Sequence, residues 1–367
     1  MKARIPIACV LLGLVALTAM RGDAQSRGDA LAWPAEDSAQ DEPEASATCW
    51  SGLPGIAMDF DSLPGAMRVA LASGDERLRD LLLDRLVELV GDDVARAGRV
   101  LDWIRGARDH DEIAMYAEAL SRTDAVHSAS IRERIVSMAE DRADVEHQGA
   151  ALAMLETQRS FDGRTLDRLV EVGKSTSDDA NAEYAIKTIG AVMERGCEGA
   201  DCERYMRGAL DVASSSTDGA QRLAVEMLST APARMPERIV LRTSEIMRES
   251  PTPWTRQLAA LAIATAAPPE RALAALRDAF YAESHFCTRV SIFRDAAAAA
   301  GPRALPLMAD FARAQPELQE AYVLFEQVYR SGVVAYDRVV SALFDRVFPG
   351  CSAAQEADGL ASEEASQ

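Results

Sequence analysis

Between roughly Asp75 and Phe348 the sequence repeats a two-helix unit about every 32 to 39 residues, and a repeat of that length constrains the fold more than any other feature. One such unit is too small to bury its own apolar face, so stacking against its neighbours has to supply the core. The register appears when the first helix of each unit is aligned on a small residue. Ala114, Ala151, Ala185, Ala224, Ala259 and Ser291 stand 37, 34, 39, 35 and 32 residues apart. A small side chain at a fixed place lets neighbouring helices approach closely. An alanine-rich helical bundle is the competing architecture.

Helical periodicity is plain in Leu78, Leu81, Leu82, Leu86, Leu89 and Val90, and again in Val339, Val340, Leu343, Phe344 and Val347. Both runs follow the i, i+3, i+4 spacing of a single apolar helix face. No segment alternates with period two for long enough to make a strand. Thr252-Pro253, Met235-Pro236 and Pro268-Pro269 stand where helices should begin, and Gly91, Gly173, Gly196 and Gly301 where they should stop. The expected fold is all-α: a right-handed α-α superhelix, or solenoid, of stacked helical hairpins. Aromatics are only 5% of the chain, and three lysines stand against 36 arginines.

The two ends have a different character. Lys2 and Arg4 precede an apolar run from Ile5 to Met20, followed by small residues around Gly22-Asp23-Ala24, which reads as a signal peptide over residues 1–24. The run is short for a spanning helix, which needs about 20 residues. Residues 25–48 carry one Arg and six carboxylates with almost no large apolar group except Leu31 and Trp33. They are expected to be a disordered acidic linker. Residues 49–351 are the expected helical repeat domain, and residues 352–367, with four carboxylates and no base, a disordered acidic tail. The leader holds three cations and one acid, so its loss takes the formal charge from -19 to -21. Nucleic acid is therefore not an expected partner. No second long apolar stretch exists, so the expectation is an exported chain, periplasmic or secreted, with no transmembrane span once the leader is removed.

The segment Thr252-Pro253-Trp254-Thr255-Arg256-Gln257-Leu258-Ala259 is similar to the prokaryotic HEAT pattern of Asp-Pro, then an Arg, then spaced alanines. The resemblance to HEAT-repeat and related α-solenoid families covers about residues 75 to 348. Other units depart from it: Gln148, Ala182, Gln221 and Thr288 take the place of Arg256, and most lack the Asp-Pro start. The resemblance implies a protein-binding scaffold and carries over no catalytic residues.

Chemistry-bearing motifs are sparse. Five cysteines remain after the leader: Cys49, Cys197, Cys202, Cys287 and Cys351. An odd number leaves at least one unpaired or paired between chains. Cys197 and Cys202 flank a four-residue inter-helix turn and are expected to form a disulfide contributing roughly 2 kcal/mol. Cys287 with Cys351 would staple the last hairpins, leaving Cys49 over. The histidines His110, His127, His147 and His285 fall in no metal-ligand spacing and read as surface or capping residues. Gly173-Lys174-Ser175 looks like the end of a phosphate loop, but Arg168 holds the place of the earlier glycine. Asp59-Phe60-Asp61 begins like a calcium loop and lacks its third ligand and glycine turn, so capping is the expected role. Arg21-Gly22-Asp23 and Arg27-Gly28-Asp29 contain an integrin-type tripeptide without other adhesion features. Trp33 is a candidate docking residue, Trp50 is expected on the first helices, and Trp103 and Trp254 in the core. No catalytic, cofactor or metal residues are expected. The leading functional expectation is a non-enzymatic exported scaffold holding a protein or peptide partner. The alternatives are a carbohydrate-active enzyme of the α/α-toroid kind and a structural envelope spacer.

Overall fold

A computed structural model of the chain describes residues 59–195, 197–198, 200–331 and 346–351. The leader, linker and tail, Cys49, the two outer tryptophans, Gly196 and most of the stripe beginning at Val339 lie outside the described residues. Among those described there are sixteen α-helices and no strand. They are α1 (Leu63–Ser73), α2 (Glu76–Val90), α3 (Val94–Gly106), α4 (His110–Ser121), α5 (Ala129–Ala139), α6 (Val145–Glu156), α7 (Gly163–Ser175) and α8 (Asp179–Glu194). Then follow α9 (Ala200–Ala213), α10 (Asp218–Ser229), α11 (Glu237–Glu249), α12 (Pro253–Ala266), α13 (Pro269–Ala282), α14 (Phe286–Ala300), α15 (Leu305–Ala314) and α16 (Gln319–Ser331).

Local chemistry sets the helix starts. In the first half the caps are mostly aspartates: the side chains of Asp75, Asp93, Asp109, Asp144, Asp162 and Asp178 each accept a first-turn backbone N–H. Each such cap contributes about 1 kcal/mol. From α11 onward proline takes over, at the N-cap of α11 and within the first two positions of α12, α13 and α15. There its fixed φ suits the first turn and its missing N–H costs nothing. Gly91 and Gly301 end α2 and α14 at φ 49° and 57°, a backbone region that favours glycine. Gly173 does not stop a helix. It lies inside α7, where an added Cβ would come within 2.8 Å of Val212 and 2.9 Å of Ala185, so its role is close helix approach.

The helices stack in two rows. The first row is α4, α6, α8, α10, α12 and α14, and the second is α3, α5, α7, α9, α11, α13 and α15; each helix packs on its row neighbours and on the adjoining helices of the other row. First-row neighbours touch along more of their length than second-row neighbours do. Ala151, Ala185, Ala224 and Ala259 are each the seventh residue after the N-cap of a first-row helix, and all are fully buried. Ser291 is buried as well. The expected register fails at α4: Ala114 faces solvent, and Tyr116 holds the seventh position there, fully buried.

The fourth residue after the N-cap joins successive units. Arg256 donates to the carbonyl oxygens of Ser250 and Pro251 before its helix, and forks onto the carboxylate of Glu283, the C-cap of α13, at 2.7 and 3.1 Å. In the next unit Arg289, not Thr288, holds this place. Its guanidinium donates back to the Glu283 carbonyl at 2.6 Å and forward to Gln315, the C-cap of α15, at 2.9 Å. Gln148 does the same work without charge, donating to the Ala139 carbonyl and accepting from Thr176, the C-cap of α7.

A second tie runs along the second row. An acid followed by arginine recurs as Glu133-Arg134, Asp167-Arg168, Glu203-Arg204, Glu237-Arg238 and Glu270-Arg271. Every one of these arginines pairs with the acid of the preceding second-row helix: Arg134 with Asp102, Arg168 with Glu133, Arg204 with Asp167, Arg238 with Glu203, Arg271 with Glu237. Arg303 closes the run on Glu270. Most of these pairs are solvent-facing and contribute no more than about 1 kcal/mol each. Their recurrence from helix to helix, 32 to 37 residues apart, ties each second-row helix to the one before it.

Candidate partner-binding face

On α6, α8, α10 and α12 solvent reaches one stripe of side chains; at the same level α4 and α14 carry Met115 and Ser291, which are buried. The positions of the stripe are the sixth and ninth residues after the N-cap. The sixth residues are Ala150, Tyr184, Leu223 and Leu258 on α6, α8, α10 and α12, and the ninth are Ala153, Lys187, Glu226 and Leu261. Tyr184 is 40% exposed, and Leu223, Leu258 and Leu261 are half-buried. Trp254, expected in the core, is also half-buried, one turn before Leu258. Elsewhere such runs are shorter: Leu81 on α2 stands level with buried Met115 on α4, and exposed Leu241 on α11 has half-buried Leu273 at the same level of α13. Single exposed apolar residues of that kind are ordinary. A line of them across three touching helices is not, because the same level of the repeat stays apolar where solvent reaches it.

Acidic groups border this line at the α8–α10 seam. The Glu183 carboxylate lies over the start of α10, close enough that a Cβ on Gly219 would meet its Oε1. At the other end Glu194 accepts a hydrogen bond from Thr230, the C-cap of α10, at 3.1 Å. Glu226 stands between them in sequence level, exposed on α10. None of the three has an ion-pair partner among the described residues. Lys187, whose ammonium lies 5.2 Å from the Tyr184 ring centre, is the cation of this stretch of α8.

The second row is built differently. Three grooves of about 580, 320 and 200 Å3 open between α5 and α7, α9 and α11, and α11 and α13. They are repeat-equivalent, since each has a fourth-position residue in its lining: Gln148, Gln221 or Arg256. Their principal charges are already satisfied. Arg168 forks onto Glu140 and onto Glu133, and its hydrogen bonds hold the Glu140 carboxyl below its ordinary range. Arg242 donates to Asp211 at 2.5 Å and to the Leu210 carbonyl. Glu283 is 8% exposed; burial alone would raise its pKa, but the Arg256 fork and the His285 and Ser284 N–H groups bring it below the usual value. A ligand entering these grooves would have to break bonds that hold the stack together.

The sulfur atoms of Cys197 and Cys202 are bonded across the α8–α9 connection, and those of Cys287 and Cys351 join the start of α14 to the helical turn at the end of the described chain. Neither bridge touches the apolar stripe. His285 caps α14 and His110 lies exposed against Glu146. His147 departs from the surface-or-cap expectation: it is buried, with Nε2 2.7 Å from the Ile104 carbonyl and Nδ1 2.6 Å from Asp144. Asp59 caps a short 3-10 turn, and Lys174 lies in the last turn of α7. Trp103 is half-buried between Phe60 and Tyr116. Among the described residues no three His, Cys, Asp or Glu side chains converge on a metal position, and no helix is long and apolar enough to cross a membrane.

The stripe residues went unnoticed in the sequence, although the signal is there: Tyr184, Leu223 and Leu258 each directly precede the buried alanine that sets the register. No family model matches the chain, and no curated protein matches it. Among solved structures, a chain described as "Computational Design of Self-Assembling Cyclic Protein Homooligomers" aligns at 12% identity over 81% of this chain and 99% of its own, with a TM-score of 0.14. A likeness that weak carries no argument about function.

Proposed function

We propose that this chain is an exported, non-enzymatic scaffold of the HEAT-like kind that holds a protein or peptide on its first-row face. The observation that carries this reading is the line Tyr184, Leu223, Leu258 and Leu261, apolar at a solvent-reached level of three adjacent helices. On the second row the arginines of the ladder and of the grooves are engaged in bonds between repeats. The leader-like start and the two disulfides support export, since disulfides persist in oxidising compartments.

The test is site-specific photocrosslinking of the exported protein in its own cell envelope. A photoreactive residue at Lys187 or Ala153 on the first row is compared with one at Glu245 or Arg271 on the second. The expected result is one reproducible crosslinked protein from the first-row positions only. Equal crosslinking from both rows, or none from either, overturns the reading.

A further inference from the structure

We infer that the segment held on this face is a basic amphipathic stretch of another protein, seated on the α8–α10 seam with cations at both of its ends. This deepens the reading above and rests on it. Leu258 and Leu261 on α12 continue the apolar line begun by Tyr184 on α8 and Leu223 on α10, so the occupant needs an apolar side. The charge it carries follows from the borders of the same line. Glu183 lies over the N-terminal end of α10, Glu194 is tied to its C-terminal end through Thr230, and neither has a cation partner among the described residues. Eleven residues of helix separate the two, a distance of about 16 Å. Glu226 adds a third carboxylate on the α10 side. Against these stand Lys187, already engaged with the Tyr184 ring, and Arg222 on α10, which has a partner of its own.

The ends of this chain are excluded as occupants by their own charge. Residues 25–48 carry six carboxylates and one Arg, and residues 352–367 carry four carboxylates and no base. Either would bring like charge to Glu183, Glu194 and Glu226. A partner with two cations about 16 Å apart and an apolar side between them satisfies the carboxylates and covers the stripe together. Complementarity of this kind governs which partners are accepted and makes the encounter salt-dependent.

The experiment measures binding of three labelled peptides to the intact leader-free protein by fluorescence anisotropy. One is an amphipathic Leu/Lys helix, the second carries Glu in place of every Lys, and the third keeps the lysines and has Ser in place of every Leu. The Leu/Lys peptide should bind at least about tenfold more tightly than either of the others. Tyr184→Ser and the double change Glu183→Gln with Glu194→Gln should each weaken it several-fold, with thermal midpoints checked to show that the fold is kept. Glu245→Gln on exposed α11 should leave binding unchanged. Equal binding of the Lys/Ser peptide would mean charge attraction alone, binding of the Glu peptide would mean the wrong chemistry, and either result overturns the inference. If photocrosslinking captures a partner through an acidic or purely polar segment, the inference fails while the scaffold reading stands. If first-row positions crosslink nothing, the scaffold reading itself fails.

Discussion

Arg256→Ala is the sharpest test of how the stack is held. The guanidinium is 14% exposed and makes four hydrogen bonds, two to the Glu283 carboxylate and one each to the Ser250 and Pro251 carbonyls. Truncation leaves the Glu283 carboxylate, 5% exposed, with only the Ser284 and His285 N–H groups, and strips two carbonyls of their donor. Removing one partner of a buried pair costs about 3–5 kcal/mol, because the remaining charge is left uncompensated. The control is Arg271→Ala, whose pair with Glu237 is solvent-facing on both sides and is worth at most about 1 kcal/mol. Stacked repeats can open locally, so urea denaturation is combined with hydrogen exchange, which should rise first in α12, α13 and α14. The pH dependence has a defined sign. Glu283 has a lowered pKa in the folded protein, so its contribution is present above the ordinary glutamate value of about 4.3 and is lost as pH falls through the lower folded value. The gap between wild type and Arg256→Ala should therefore narrow on acidification. A cost below about 1 kcal/mol at neutral pH, or a gap that does not narrow in acid, would refute the account of Arg256 as the joint between units.

Three further outcomes follow from the packing. Ala259→Arg should lower the thermal midpoint steeply, by the equivalent of about 3 kcal/mol or more, since a bulky charge would enter a fully buried helix contact. Ala114→Arg, at an exposed place, should leave it nearly unchanged. Cys287→Ser opens a bridge with a sequence separation of 64 and should cost about 4 kcal/mol on the chain-entropy estimate; alkylation of the unreduced, leader-free protein should find no more than one free thiol. Asp295 is 1% exposed, its Oδ2 has no partner, and burial raises its pKa. Its folded form therefore favours protonation, so stability is lost as pH rises through its folded value. Asp295→Asn should remove that loss, and denaturation curves for the two proteins should converge as the pH is lowered.

How much of this was legible in the sequence depended on whether a residue's neighbours lay within its own helix. Apolar stripes, proline starts and glycine stops are local, and they place the starts of α12 and α13 and the end of α2 at Gly91 correctly. The small-residue register held over α6, α8, α10 and α12 because each alanine lies seven residues after its cap. It slipped at α4, where tyrosine fills the contact, and the joint residue of α14 is Arg289 rather than Thr288. The acid-arginine ladder was readable and unread. Its members are ordinary charges inside one helix, and only the pairing of each with a residue one repeat away gives them meaning. Asp337-Arg338-Val339-Val340 continues the same pattern in sequence, 35 residues after Arg303, outside the described residues.

The ladder also accounts for where the net acidity of the chain is felt. Arginine is the main cation of this protein, and along the second row it is spent on the acids of neighbouring repeats. The first row receives few cations, so Glu183, Glu194 and Glu226 keep their charge for whatever lies against them. Pairing thus ties the second row together, while on the proposed reading the unpaired acids of the first row are what a partner meets. Both effects are electrostatic and solvent-facing, and both weaken as added salt shortens the Debye length. If a basic segment binds as proposed, its release should come first as ionic strength rises, because the repeats retain buried alanine contacts and the Arg256 joint when the ladder is screened. A salt titration in which the stack unfolds before the bound peptide dissociates would contradict this division of labour.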